Sequence, residues 1–210
     1  MRFLPVLLCL LCACPAAGRG RAGSFDYYVL SLGWQPSWCA LTGDARHDPQ
    51  CDAGEDRGFI LHGLWPQYES GWPSDCQTAE RPPSRRDTAA MADIMGSSGL
   101  AWHEWQKHGS CSGLGAADYF ALARRAYRNT HVPAYLSPLH RDLQVPPDVV
   151  EQAFIEANPD LRPDAITVTC ESGRIGEVRI CLDKDLQPRA CAADTARDCP
   201  LSSMLMEQSR

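Results

Sequence analysis

The stretch WHEWQKHGSC, residues 102–111, holds two histidines, a lysine and a glutamate within six positions. Imidazole, with an ordinary pKa of ~6.5, can give or take a proton near neutral pH. On an α-helix turning ~100° per residue, with His103 at zero, Lys107 falls at ~40°, Glu104 at ~100° and His108 at ~140°. All four project from one half of the helix. Trp102 and Trp105 fall at ~260° and ~200°, on the other half, and are expected to anchor it in the core. One alternative is a solvated charged face, with Glu104 pairing Lys107 or His108. Another is a metal site, but zinc-binding helices place two histidines at i and i+4. His103 and His108 are five apart, which separates them too widely to chelate one ion.

The second concentrated signal is FILHGLWPQ, residues 59–67. His62 ends an apolar run before Gly63, with Trp65 close by, where a side chain can point into a cleft. A satisfied core histidine is the plain alternative. If His62 opposes His108, the two form an acid and a base on either side of a substrate. That pairing suits in-line displacement at phosphorus, and a nearby lysine can neutralise charge on the phosphoryl oxygens. A ribose 2′-hydroxyl would supply the nucleophile, so neither metal nor cofactor is required.

These residues need a scaffold, and 210 residues are enough for one domain with a real core. Residues 24–34, rich in aromatic and β-branched side chains, read as a strand, and residues 57–66 as a second that stops at Gly63 and Pro66. Residues 35–56 read as a loop. Asp87 is placed to cap a helix over 88–95, and a further helix is expected over 100–107. Residues 116–129 carry Tyr119, Phe120, Ala123 and Tyr127 on one side. In 146–159 the apolar Val149, Val150, Ala153, Phe154 and Ala157 recur at helical spacing. Residues 165–170 and 174–183 read as paired strands joined at Ser172 and Gly173. Strands and helices in this order predict an α+β domain with a central antiparallel β-sheet and helices packed on it.

The N-terminus reads as an export leader over residues 1–22. Arg2 supplies positive charge, and FLPVLLCLLCAC is an apolar run too short to span a bilayer. A variant reading makes Cys14 an acylated cysteine, though Cys12 is atypical for that signal. Residues 23–210 would then form a single domain, exported to periplasm or medium. Eight cysteines remain after the leader, an even count that implies disulfides in an exported chain. Sequence leaves 105 pairings open. No Cys-x-x-Cys pair exists among the eight, which argues against structural zinc. The net charge of −6 would become −9 once Arg2, Arg19 and Arg21 left with the leader. Broad polyanion binders use basic surfaces, so attraction for an anionic substrate has to be local. No transmembrane segment and no stable protein partner are implied; a monomer is expected.

FILHGLWP and LAWHEWQKHGSC, in that order, resemble the two active-site segments of the ribonuclease T2 family, secreted acid-type RNases. The likeness, with the cysteines and strand order around the motifs, covers residues 25–200. It implies that His108 is the general base for the 2′-hydroxyl and His62 the general acid for the departing 5′-oxygen. His103 would hold the phosphate, while Glu104 and Lys107 stabilise the transition state. RNA would be the substrate, cleaved through a 2′,3′-cyclic phosphate with no cofactor. Trp65 would stack a base, with Tyr68 and Trp72 in the following loop. Gln67 stands where some relatives carry an acidic base-reading residue, so base preference does not transfer. The resemblance also implies the pairs Cys39–Cys51, Cys76–Cys111, Cys170–Cys199 and Cys181–Cys191. A metal-dependent hydrolase and a non-catalytic binding module remain the competing classes.

Overall fold

The structure is a computed structural model that describes residues 20–210. The expected leader, with Cys14, lies outside the described residues up to position 19. Strand β1, Tyr27–Trp34, is buried on both faces. Its alternation sends Tyr28, Leu30, Leu32 and Trp34 into the main core and Tyr27 and Val29 into a small cluster with Cys181 and Ala192 on the other face. Strand β2, Phe59–Gln67, pairs antiparallel with β1. It runs through Gly63 and Pro66, where the sequence reading ended it. It is the edge strand of the sheet, so the missing N–H of Pro66 breaks no interior ladder.

The remaining strands are β3 (Leu143–Val145), β4 (Ile166–Glu171), β5 (Arg174–Leu182) and β6 (Met204–Met206). The order is β2-β1-β5-β6-β3, with β4 also pairing β5. All pairings are antiparallel except β5 with β6, so the sheet is mixed. β3 and β6 have three residues each, too few for alternation to reveal them. The fold is α+β and disulfide-stabilised, with bonds Cys39–Cys51, Cys76–Cys111, Cys170–Cys199 and Cys181–Cys191.

Residues 35–51, read as a loop, form short helical turns instead. These are α1 (Gln35–Trp38), a π turn (Cys39–Gly43) and 3₁₀ turns at Asp44–Arg46 and Pro49–Cys51. Pro36 and Pro49 each preset the first turn of their segment. The helix expected over 88–95 is two: α2 (Arg85–Ala89) and α3 (Ala92–Met95). Ser84, not Asp87, is the N-cap; Asp87 sits three residues on and completes a capping box. α4 spans Ser98–Lys107 and α5 Ala116–Asn129, which buries Tyr119, Phe120, Ala123 and Ala126. α6, Pro147–Ala157, buries Val150, Ala153 and Phe154. Val149 is 52% exposed, contrary to expectation, because it falls outside the stripe formed by Val150, Ala153 and Phe154.

Behind β4, the Val168 N–H donates to both Glu151 Oε1 (3.1 Å) and Asp198 Oδ1 (3.3 Å). Burial, then the neighbouring Asp198 carboxyl, raises the Glu151 pKa to about 7. A carboxyl raised in the fold favours the folded state most at low pH and costs stability as pH rises toward 7. Glu151→Gln, which mimics the protonated form, is expected to raise Tm by about 2–4 °C at pH 8. The gain should vanish at pH 4.5. Thermal unfolding at the two pH values checks this, and a gain independent of pH would refute it.

Candidate active site

The β1–β2 ladder pairs Ser31 with Gly63 and Leu32 with Leu61, which leaves His62 without a partner. This one-residue bulge puts His62 and Trp65 together on the face of the sheet away from the main core. Bulges near active sites re-aim side chains in this way. Gly63 is bare for a reason: a Cβ there would collide with Glu104 Oε2 and Trp65 Nε1. Gly63→Ala is expected to lower kcat by about 10²-fold, the size of an ångström-scale misplacement, with the far-UV circular dichroism unchanged. Retention of full kcat would show that this close approach is dispensable.

α4 begins at the Ser97 cap, whose hydroxyl accepts the Leu100 N–H at 3.1 Å. It buries Ala101, Glu104 and Trp105. Trp102 is 40% exposed, so only one of the two tryptophans anchors the helix. Nor do the four polar residues share one environment. Glu104 is 1% exposed, whereas His103 and Lys107 stand on the exposed rim. His108 is the C-cap, where α4 gives way to a 3₁₀ turn, its N–H donating to the Glu104 carbonyl at 2.9 Å.

Trp65 joins the two histidines. Its ring stacks on His108 with centroids 5.1 Å apart, and meets His62 edge-on at 5.3 Å. Its Nε1–H donates to Glu104 Oε2 at 2.6 Å. His62 Nε2 lies 3.6 Å from Glu104 Oε1.

β5 supplies two groups that the sequence reading missed, Glu177 and Arg179. Glu177 Oε1 hydrogen-bonds His62 Nδ1. Its other oxygen accepts from Arg179 Nε at 2.7 Å and Nη2 at 2.6 Å. The Arg179 guanidinium also lies 5.3 Å from the Trp65 ring centre. The signal was present: charges at alternate positions of an otherwise apolar strand, RIGEVRICL, mark its cleft-facing side.

These contacts drive the titrations apart. Burial opposes charge on His62, but the hydrogen bond to Glu177 and the charges of Glu177 and Glu104 outweigh it, so its pKa is raised. Burial, then the positive fields of Lys107, His62 and His103, lowers His108 to about 3. Burial raises Glu104 to about 7 against the pull of His62, the Trp65 N–H and Lys107. Burial would raise Glu177 too, but His62 and Arg179 hold it at about 2.

Eight of the nine side chains singled out from the sequence line one cavity of about 380 Å³: His62, Trp65, Gln67, Trp72, His103, Glu104, Lys107 and His108. Tyr68 does not; it packs against the main core. Trp72 lines the rim and is 58% exposed. A second lobe of about 860 Å³ adjoins the first and shares His62, His103, Glu177 and Arg179 with it. Among the described residues no group of three or more His, Cys, Asp or Glu is placed to hold a metal ion.

A bulged edge strand and a helix end, brought to one cleft of a disulfide-bonded α+β fold, define a class of protein that the comparisons make specific. The chain belongs to the ribonuclease T2 family, whose profile matches residues 25–191. A ribonuclease of Aeromonas hydrophila is 39% identical over 141 residues, 65% of this chain and 63% of the relative. The chain thus spans under two thirds of that protein's length. Ribonuclease DdI of Dictyostelium discoideum is 27% identical, with 88% of this chain and 89% of that one covered. Among solved structures, an RNase-related protein from Calystegia sepium superposes with a TM-score of 0.68. Their sequences are 22% identical, and the match covers 89% of this chain and 99% of that one.

Proposed function

We propose that this protein is an exported endoribonuclease that cleaves single-stranded RNA with little base preference. The bond breaks by transphosphorylation: the ribose 2′-oxygen attacks the adjacent phosphorus, the P–O5′ bond breaks, and a 2′,3′-cyclic phosphate forms. Slower attack by water then leaves a 3′-phosphate.

One observation carries the reading: two imidazoles line one cleft, in surroundings that push their pKa values in opposite directions. His108, kept neutral down to about pH 3, is ready to take the 2′-hydroxyl proton. Its Nδ1 is shut in without a partner among the described residues, which leaves Nε2 for that task. His62, kept protonated by Glu177, is ready to give a proton to the departing 5′-oxygen. Environments that push two like groups apart are how one site runs acid and base chemistry together.

His103 and Lys107 on the rim supply positive charge for the phosphate. Glu104, neutral below about pH 7, sits beside that phosphate without repelling it and can donate a hydrogen bond. Trp65 already carries His108 and Arg179 against its ring. The exposed indole of Trp72 is therefore the freer surface for a base, and stacking tolerates every base. Gln67 can donate and accept, which fits low selectivity. Four disulfides and the apolar leader support export.

Cleavage of RNA beside a 2′-deoxy control tests the mechanism. A cyclic phosphate product and an inert deoxy strand are expected, with full activity in EDTA. DNA cut at a comparable rate would refute the 2′-hydroxyl chemistry.

A further inference from the structure

The second lobe, about 860 Å³, is the outer one and is more than twice the size of the inner lobe; on the reading above, the inner lobe takes the scissile phosphate. The outer lobe contains His62 but not His108 or Trp65. On the reading above, His62 serves the departing 5′-oxygen, so this lobe lies on the leaving side of the bond. The residues shared with the inner lobe mark its near end. The segment from Trp38 to Gln50 lines only the outer lobe and forms a second wall. The space exceeds what one leaving nucleotide needs.

That second wall is built. Trp38 is 37% exposed. The residue behind it is Gly43, where a Cβ would lie 2.8 Å from Trp38 Cζ3 and would also strike Cys51 Sγ. The indole is therefore backed by bare backbone and by the Cys39–Cys51 bond, and its remaining surface opens on the cleft. The intervening turn, Cys39–Gly43, is a π turn, a rare geometry that recurs at functional sites. Arg46, on the next turn, lines the same lobe and forms no ion pair among the described residues. In a chain of net charge −6, an unpaired guanidinium and a braced, open indole on one lobe suit an anion and a base, although Asp48 and Glu171 line that lobe too.

We propose that Trp38 and Arg46 form a subsite for the second nucleotide downstream of the cleaved bond, with the base stacked on Trp38 and its 5′-phosphate on Arg46. It rests on the endoribonuclease reading and adds a footprint beyond the reacting dinucleotide. A polyanion then gains grip from one aromatic face and one cation without a broad basic surface.

The test uses chimeric oligonucleotides with one cleavable ribonucleotide followed by either one or two deoxynucleotides. The unmodified protein should cleave the longer with kcat/KM about tenfold higher, equivalent to ~1.4 kcal/mol. Trp38→Ala should bring that ratio to about 1–2 while leaving the shorter chimera within about twofold of the parent. Trp38→Phe should keep most of the advantage. Arg46→Ala should reduce the salt dependence on the longer chimera by about one phosphate contact. A ratio near one for the unmodified protein, or an equal loss on both chimeras in Trp38→Ala, would overturn the subsite. Failure of the unmodified protein to cleave either chimera would be a different result, and would overturn the endoribonuclease reading with it.

Discussion

His62→Ala is expected to lower kcat on RNA by about 10³-fold, within the range that one positioned acid or base contributes. His108→Ala should do the same, and the double variant should lose little more, because the two groups act in a single concerted transfer. Both proteins should stay folded. His62 is 37% exposed along its side chain and sits at a bulge, so its removal opens little core. The His108 ring is buried against Trp65, and its loss leaves a cavity that thermal unfolding will register. For that reason His108→Gln, closer in volume and polarity, is the better control. A variant at either position with more than a tenth of the parent rate and an unchanged Tm would mean that the proton moves elsewhere.

The second large effect is on pH dependence. The base is competent above its pKa and the acid below its own. With His108 held near 3 and Glu104 near 7, kcat/KM should form a plateau across the acid range and fall above about pH 7. The fall has two causes of the same sign: His62 loses the proton it must donate, and Glu104 becomes an anion beside the phosphate. Glu177→Gln removes the charge that holds the proton on His62, so the alkaline limb should move to lower pH. On that limb the rate at a given pH should drop several-fold, because less of His62 carries its proton. At pH 4.5 it should stay near that of the parent. That split separates a proton-holding role for Glu177 from a merely structural one, which would lower the rate at every pH. A rate that climbs steadily to pH 9 would contradict the whole assignment.

Most of the candidate site's membership was legible because it is local. His103, Glu104, Lys107 and His108 lie within six residues, and helical periodicity alone puts them near one another. β1, α5 and the β4–β5 hairpin were legible for the same reason, since each carries its own alternation or period. What escaped depends on contacts far apart in sequence. Glu177 reaches His62 across 115 residues, and only the β1–β5 and β1–β2 registers bring them together. The bulge at His62 has no local signature beyond its neighbouring glycine. Trp102 and Trp105 look alike in a helical projection, but the helix packs along a narrower stripe than half its surface. The turns between Cys39 and Cys51 are too short for periodicity to show.

The Cys76–Cys111 bond closes three residues beyond His108 and fastens the loop that carries Trp72 to the end of α4. Such a bond is not kept where glutathione and thioredoxin hold thiols reduced. A newly made chain would therefore possess every reagent but not yet the clasp that sets them opposite one another.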